Sequence, residues 1–162
     1  MALALRLPAG FQPVACEWVF RAGHDPDLDD PRLVHNLVHH PLANFVLHRR
    51  RLASASSAEQ ERNRMEAELR KAVDDMSAIE SGPFAFDDGV VGQLFAFEFR
   101  LLDELRAEQV HGLRLDGVWL STITYTAPLG VGARLERAEV KRCLASFTPP
   151  ADDRSEGADV PA

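Results

Sequence analysis

The sequence predicts an α+β domain: one antiparallel sheet with two helices packed on one of its faces. Three observations lead there. The stretch from Val90 to Thr126 alternates in hydropathy almost throughout, the period at which side chains return to one face of a strand. Two tight-turn signals, Asp87-Asp88-Gly89 and Asp116-Gly117, mark where hairpins turn. Two other segments, Ser57 to Ile79 and Val131 to Ser146, carry apolar residues at helical spacing instead. Each such helix has an apolar stripe to bury, and the sheet supplies the surface.

Taken in order, Leu3, Leu5 and Leu7 alternate with Ala4 and Arg6, which predicts a short first strand stopped by Pro8-Ala9-Gly10. Ala15 to Ala22 is the second, with Trp18 and Phe20 on one face and Val19 on the other. Gly23 to Pro41 reads as loop, because Asp25, Pro26, Asp27, Asp29, Asp30 and Pro31 are turn residues. The same segment carries His24, His35, His39 and His40. His35 and His39 would share one face of a helical turn, a spacing that can bind metal. No HExxH pattern accompanies them and Pro41 closes the segment, so no metal is expected.

Asn44 to Arg51 is the third strand, with Asn44, Val46 and His48 on one face and Phe45, Leu47 and Arg49 on the other. The Arg49-Arg50-Arg51 cluster reads as a solvated strand end. Ser56 with Glu59, or Ser57 with Gln60, makes a capping box for a helix running to about Ile79. Its stripe is Met65, Leu69, Ala72, Met76 and Ile79, and Ser81-Gly82-Pro83 closes it. In the meander, Phe95, Phe97, Phe99 and Leu101 share one face, with Leu94, Ala96, Glu98 and Arg100 on the other. Leu105 to Leu115 and Val118 to Thr126 are its next two strands, the last rich in β-branched and aromatic residues. Ala127-Pro128 breaks that strand. The final helix has an apolar edge of Val140, Leu144 and Phe147, with Leu135 and Cys143 beside it. Residues 1–150 thus read as a single domain, and the small, acidic, proline-containing residues 151–162 as a disordered tail.

Composition excludes several function classes. A net charge of −7 disfavours nucleic acid as a partner, since phosphate binding needs clustered Lys and Arg. Cys16 and Cys143 are too few for a disulfide framework or a zinc site, which points to a reducing compartment. No run has the length of a transmembrane helix, and no secretory signal pattern is visible. Val14-Ala15-Cys16 loosely resembles a lipoprotein processing site, but Arg6, Pro8, Gly10, Gln12 and Pro13 interrupt the apolar stretch before it. A cytoplasmic, non-membrane-embedded protein is therefore expected.

Catalytic chemistry has no foothold in the pattern. There is no G-x-S-x-G elbow, and both cysteines fall in or beside apolar runs. Gly130-Val131-Gly132 precedes a helix but lacks the lysine and serine of a phosphate loop. Asp74-Asp75 reads as solvated on the polar face of a charged helix. The expectation is a protein that is not an enzyme and has no cofactor.

The strands carry the informative anomaly. If the helices cover one sheet face, the other must meet something, and it is not the charged surface of a solvated sheet. Asn44, Val46 and His48 share a face of one strand; Leu105, Ala107, Gln109 and His111 share a face of another. Apolar patches with a few neutral hydrogen-bonding groups mark partner sites. Transmembrane helices pack through small residues and through Asn, Gln, Ser or His hydrogen bonds, and such a face could shield one in water. Periodicity alone does not separate this from a covering loop or a dimer partner, nor fix which parity faces the helices.

Several short segments resemble the DcrB-related family, whose domain is similar to the PsbP and Mog1 folds. They are Leu5-Arg6-Leu7-Pro8, Asn44-Phe45-Val46-Leu47-His48-Arg49, Glu108-Gln109-Val110, Val118-Trp119-Leu120-Ser121-Thr122-Ile123-Thr124 followed by Pro128, and Ala145-Ser146-Phe147-Thr148-Pro149. The resemblance spans Leu3 to Pro149 and implies a PsbP/Mog1-like two-layer sandwich. Within that family the chain looks most like the Eag-type chaperones of type VI secretion effectors. This implies a cytoplasmic homodimer whose concave sheet faces hold an effector's N-terminal transmembrane helices before secretion. The family's binding strand maps onto Asn44 and His48, its glutamine onto Gln109, with Leu105 earlier on that strand. Val46 and Ala107 complete the expected partner-binding set. The chain departs from the family where Asn44 and His48 replace small serines, and in the length of the Gly23–Pro41 insertion. The alternative is a PsbP/Mog1-like protein-binding module or regulator of a folded partner.

Overall fold

The computed structural model describes residues 5–6, 11–13, 19–22, 43–130 and 135–150. Among them the chain forms an α+β fold: strands β1 (Phe11–Pro13), β2 (Val19–Ala22) and β3 (Asn44–Arg51), helix α1 (Ala58–Ala72), strands β4 (Asp74–Ala85), β5 (Val91–Leu102), β6 (Leu105–Asp116) and β7 (Trp119–Pro128), then helix α2 (Arg137–Ala145). The strands make one sheet in the order β1-β2-β3-β7-β6-β5-β4, and every neighbouring pair is antiparallel. Of the expected first strand, Leu5 and Arg6 are described and belong to no strand. The Gly23–Pro41 loop and the 151–162 tail lie outside the described residues.

The meander follows the predicted alternation. Two-residue turns join its strands, since Leu102 pairs with Leu105 and Asp116 with Trp119. The second turn is centred on Gly117-Val118, one residue later than Asp116-Gly117. Only Gly117 adopts positive φ, at 60°. That is the pattern of a turn with glycine at its first central position, not of one needing two left-handed residues. The last strand also runs on through Ala127 and Pro128, where Pro128 is tolerated as its final residue.

The first helix begins where its capping box predicts. Ser57 Oγ accepts from the Gln60 backbone N–H at 3.1 Å, and Gln60 Oε1 accepts from the Ser57 N–H at 3.0 Å. It ends at Ala72, not at Ile79. Val73 turns to extended backbone and Asp75 takes φ 54°, after which Asp74–Ala85 is an edge strand on β5. β-branched and Asp residues are weak helix formers, while an edge strand tolerates Gly82 and Pro83. Bulges between Asp74 and Ser77 and between Ala78 and Glu80 break the alternation of β4. That irregularity gave Met76 and Ile79 their misleading helical spacing.

The two helices pack on opposite faces, which corrects the expectation of one shared face. Phe45, Leu47, Leu94, Ala96, Val110, Ile123, Tyr125 and Ala127 form one cluster with Val140, Cys143, Leu144 and Phe147 of the α2 region. Phe95, Phe97, Phe99 and Ala107 form another, against Met65 and Leu69 of α1 and Val73 and Met76 beyond it. Successive residues of β5 therefore enter opposite layers. Ion pairs agree: Arg137 of α2 reaches buried Glu108 at 2.9 Å, while Arg50 of β3 reaches buried Glu61 of α1 at 2.6 Å. The physical reason lies in β5, which is apolar and buried at both parities from Leu94 to Phe97. A strand with no polar face needs cover on both sides.

Helix α2 packs directly on β6, with Leu144 over Gly112. Leu144 and Phe147 are essentially inaccessible. Tyr125 Oη accepts from the Leu135 N–H at 3.1 Å, and the Arg6 N–H donates to Ser146 Oγ at 2.9 Å. Arg114, also buried, is held by Asp116 and Asp88 and lies over the Phe86 ring. The α2 face is thus closed.

Candidate functional site: the half-covered sheet face

The other face is built differently. Helix α1 contributes no fully buried apolar residue; its one buried residue is Glu61. Among the described residues it lies against β4, β5 and β6, leaving the far part of the face, towards β7 and β3, with less helix over it. Strand register arranges this face in rows. Asn44 stands opposite Thr126, which stands opposite Gln109, which stands opposite Phe97. The next row is Val46, Thr124, His111 and Phe95, and the third is His48, Thr122, Leu113 and Gln93. Each row runs from small or polar groups at β3 and β7 towards the centre and far side of the sheet.

The six residues expected to bind a partner fall on this one face, by alternation along β3 and β6 and by register across β7. They differ in access. Asn44, Val46 and Gln109 are half-buried and His48 is exposed. Ala107 has no accessible surface and belongs to the cluster with Phe95, Phe97 and Phe99. Leu105, half-buried, sits at the strand end beside the turn. Asn44, Val46, His48 and Gln109 form the accessible part, and Ala107 and Leu105 border it.

Sequence reading left out of that set the groups that link the rows. His111 is buried, and its ring lies nearly parallel to that of Phe97, at 5.6 Å and 8°. Its Nε2 is 3.1 Å from Gln109 Oε1 and its Nδ1 is 2.9 Å from Thr124 Oγ1. Burial lowers its pKa to about 4, so the imidazole is neutral near pH 7. A neutral ring donates through one nitrogen and accepts through the other. With Nε2–H donating to Gln109, Nδ1 accepts from the Thr124 hydroxyl, and the three side chains form one chain across β6 and β7. Thr122, Thr124 and Thr126 recur at every second position of β7, and that spacing was the available signal for them.

A groove of about 300 Å³ runs between α1 and the strands, lined by His48, Arg50, Glu61, Met65, His111 and Thr124 among others. Its upper edge is held by Glu61, which accepts from Arg50 at 2.6 Å and from Arg64 at 2.8 Å. Arg50 is thus a fastening between β3 and α1, where the sequence suggested a solvated strand end. Thr122, Thr124, His111, Leu113 and Leu120 make the floor: hydroxyls, an imidazole and apolar side chains.

A larger hollow of about 580 Å³ lies beside α2, lined by Arg6, Phe84, Asp87, Glu139, Lys141 and Cys143 among others. Burial, and then the charge of Glu139, push the Cys143 thiol up to about 12, so no thiolate nucleophile is available there at neutral pH. Among the described residues no three His, Cys, Asp or Glu side chains come together as a metal site, and no helix is long and apolar enough to cross a membrane.

No family model matches the chain, and no curated protein does. Among solved structures it is similar to PA94 of Pseudomonas aeruginosa, described as a protein of unknown function and a candidate regulator. The two are 13% identical, the match covers 91% of this chain and 97% of the other, and the TM-score is 0.51. At that identity the likeness is one of fold.

Proposed function

We propose that the less covered half of this face binds an apolar helical segment of a partner protein and keeps it from water. In the fuller form of this reading the protein is a cytoplasmic, homodimeric chaperone or adaptor with a DcrB-related, PsbP/Mog1-like fold. Its client is the N-terminal transmembrane segment of a type VI secretion effector, held until loading. The reading involves no catalysis and no nucleic acid.

The observation that carries it is the chemistry of the rows. Asn44, Thr126 and Gln109, then Thr124 and His111, offer neutral hydrogen-bonding groups around the half-buried Val46, with the buried Phe95, Phe97 and Leu113 next to them in the same rows. Apolar burial of about 25 cal/mol per Å² would hold a client helix, and the neutral groups would pair with its small polar residues. Three strands about 4.8 Å apart give a strip close to the ~10–12 Å diameter of one helix.

Co-purification tests this. The protein is co-expressed with an effector's N-terminal segment, as wild type and with Gln109→Asp or Asn44→Asp. Both variants are expected to lose the client. Asn44→Asp should keep a wild-type melting curve within a few degrees, and Gln109→Asp should melt lower yet cooperatively, because Gln109 accepts from buried His111. An unpaired carboxylate against an apolar helix is costly to desolvate. Undiminished capture by the double variant would refute the assignment of this face. Capture of a folded regulatory partner through the same residues, with no apolar segment required, would favour the PsbP/Mog1-like module instead.

A further inference from the structure

We infer that α1 is a displaceable cover, and that the sheet beneath it is a second seat for an apolar helix beside the first. The inference rests on the proposed function and adds to it how far the site extends and what regulates it. Helix α1 shows which shape the hidden strip accepts. Met65 and Leu69, four positions apart on one face of a helix, lie on Phe95, Phe97, Phe99 and Ala107. These strand residues are almost fully inaccessible, while their partners on α1 are only half-buried. The strip is therefore strongly apolar and its resident helix is not. A client helix with a continuous apolar face would bury more surface there than α1 does.

The attachments of α1 suit a cover. Its N-terminal half is fastened to the sheet by Arg50–Glu61, and Arg50 is itself substantially exposed. The groove lies directly behind this fastening. At the other end Val73 leaves the helix extended and Asp75 takes φ 54°, a conformation rare outside glycine. Asp75 is pinned there by Arg106, at 2.7 Å to its carboxylate. Among the described residues the joint is thus anchored, while the far end is tied to the sheet by the Arg50–Glu61 pair and by the packing of Met65. Residues 52–57 connect that far end to β3 and could span ~20 Å if extended, more than a helix diameter.

Amide hydrogen exchange and peptide binding on the full chain test the proposal, with Arg50→Gln and, separately, Glu61→Gln. Arg50→Gln leaves Glu61 its Arg64 partner, so one variant avoids an unpaired buried charge. In the wild type, residues 58–72 are expected to exchange faster than β5, β6 and β7. Both substitutions should accelerate that exchange about tenfold while the strands keep their protection. The binding probe is a lysine-flanked Leu/Ala peptide of about 20 residues carrying two serines. Its affinity should rise about tenfold in both variants, because less of the protein is in the closed state. Exchange of α1 in step with the strands, in wild type and variants alike, would overturn the cover. Accelerated exchange with unchanged affinity would overturn the second seat. Independent, latch-sensitive exchange with no peptide binding by any of the three proteins would uphold the cover and refute the proposed function.

Discussion

The neutral state of His111 makes acid a selective perturbation of this face. Its folded pKa is about 4 against an ordinary 6.5, because burial disfavours the charged ring. Above pH 6.5 both folded and unfolded chains carry it neutral, so it adds no pH dependence there. As pH falls from 6.5 towards 4 the unfolded chain takes up the proton and the folded one does not. The unfolded state is then favoured, and stability falls through that window. The full difference is worth about 3 kcal/mol, and most of it is lost by pH 4.5. Protonation would also remove the acceptor that Nδ1 offers Thr124, 2.9 Å away.

Glu61, Glu68 and His48 also line the groove, so a comparison with a variant at His111 itself is needed to isolate the effect. Urea denaturation of wild type and His111→Gln, at pH 7 and pH 4.5, provides it. The variant keeps a polar group for Gln109 and Thr124 and has nothing to protonate. It is expected to be less stable than wild type at pH 7. Between pH 7 and 4.5 it should lose about 2–3 kcal/mol less than wild type does. If the two proteins lose the same amount, His111 is not held neutral by burial, and the neutral floor of the groove is misassigned.

Two further outcomes check the packing. Gly92→Ala places a Cβ 2.0 Å from the Leu113 carbonyl oxygen and 2.9 Å from the Phe86 ring. The backbone on one side cannot yield as a side chain could, so a loss of about 3 kcal/mol is expected in denaturant melts. Cys143, buried with its thiol raised to about 12, should resist alkylation in the folded protein at pH 8 and react once unfolded. Mass spectrometry of a Cys16→Ser background reads this directly, and rapid native labelling would contradict the α2 packing.

Local signals in the sequence proved more legible than global ones. Strand β3 has its predicted limits, Asn44–Arg51. The Ser57–Gln60 box starts α1, and Leu135, Val140, Cys143, Leu144 and Phe147 all enter one cluster. The common face of Asn44, Val46, His48 and Gln109 follows from period-two alternation, which survives wherever strands are regular. Strand β4 escaped because its two bulges shift the register, and its Met76 and Ile79 then fell into phase with the α1 stripe. Placement of the helices was not legible because β5 is apolar at both parities, so neither could be assigned to solvent. The Glu61 fastening was hidden for another reason. A glutamate in the first turn of a charged helix reads as solvated, and its burial depends on Arg50 from a strand eleven residues earlier.

The contrast between the two faces bears on function more than either does alone. On the α2 side the buried charged groups are paired: Arg114 with Asp88 and Asp116, and Glu108 with Arg137. Separating such groups exposes an uncompensated buried charge, a cost that is smaller under α1 because Glu61 keeps Arg64 of its own helix when Arg50 leaves. On the α1 side the strand floor of the groove holds the Thr122 and Thr124 hydroxyls and the neutral His111 imidazole, and the charged groups that line it, Arg50, Glu61, Arg64 and Glu68, belong to α1 or to the end of β3. Neutral groups lose less on desolvation and recover their hydrogen bonds readily in water. A surface of that kind can be covered and uncovered repeatedly without either state being prohibitive. That reversibility is what a transient holder of an apolar segment requires. A permanent core has no need of it, and the difference supports placing the proposed site on the half-covered face.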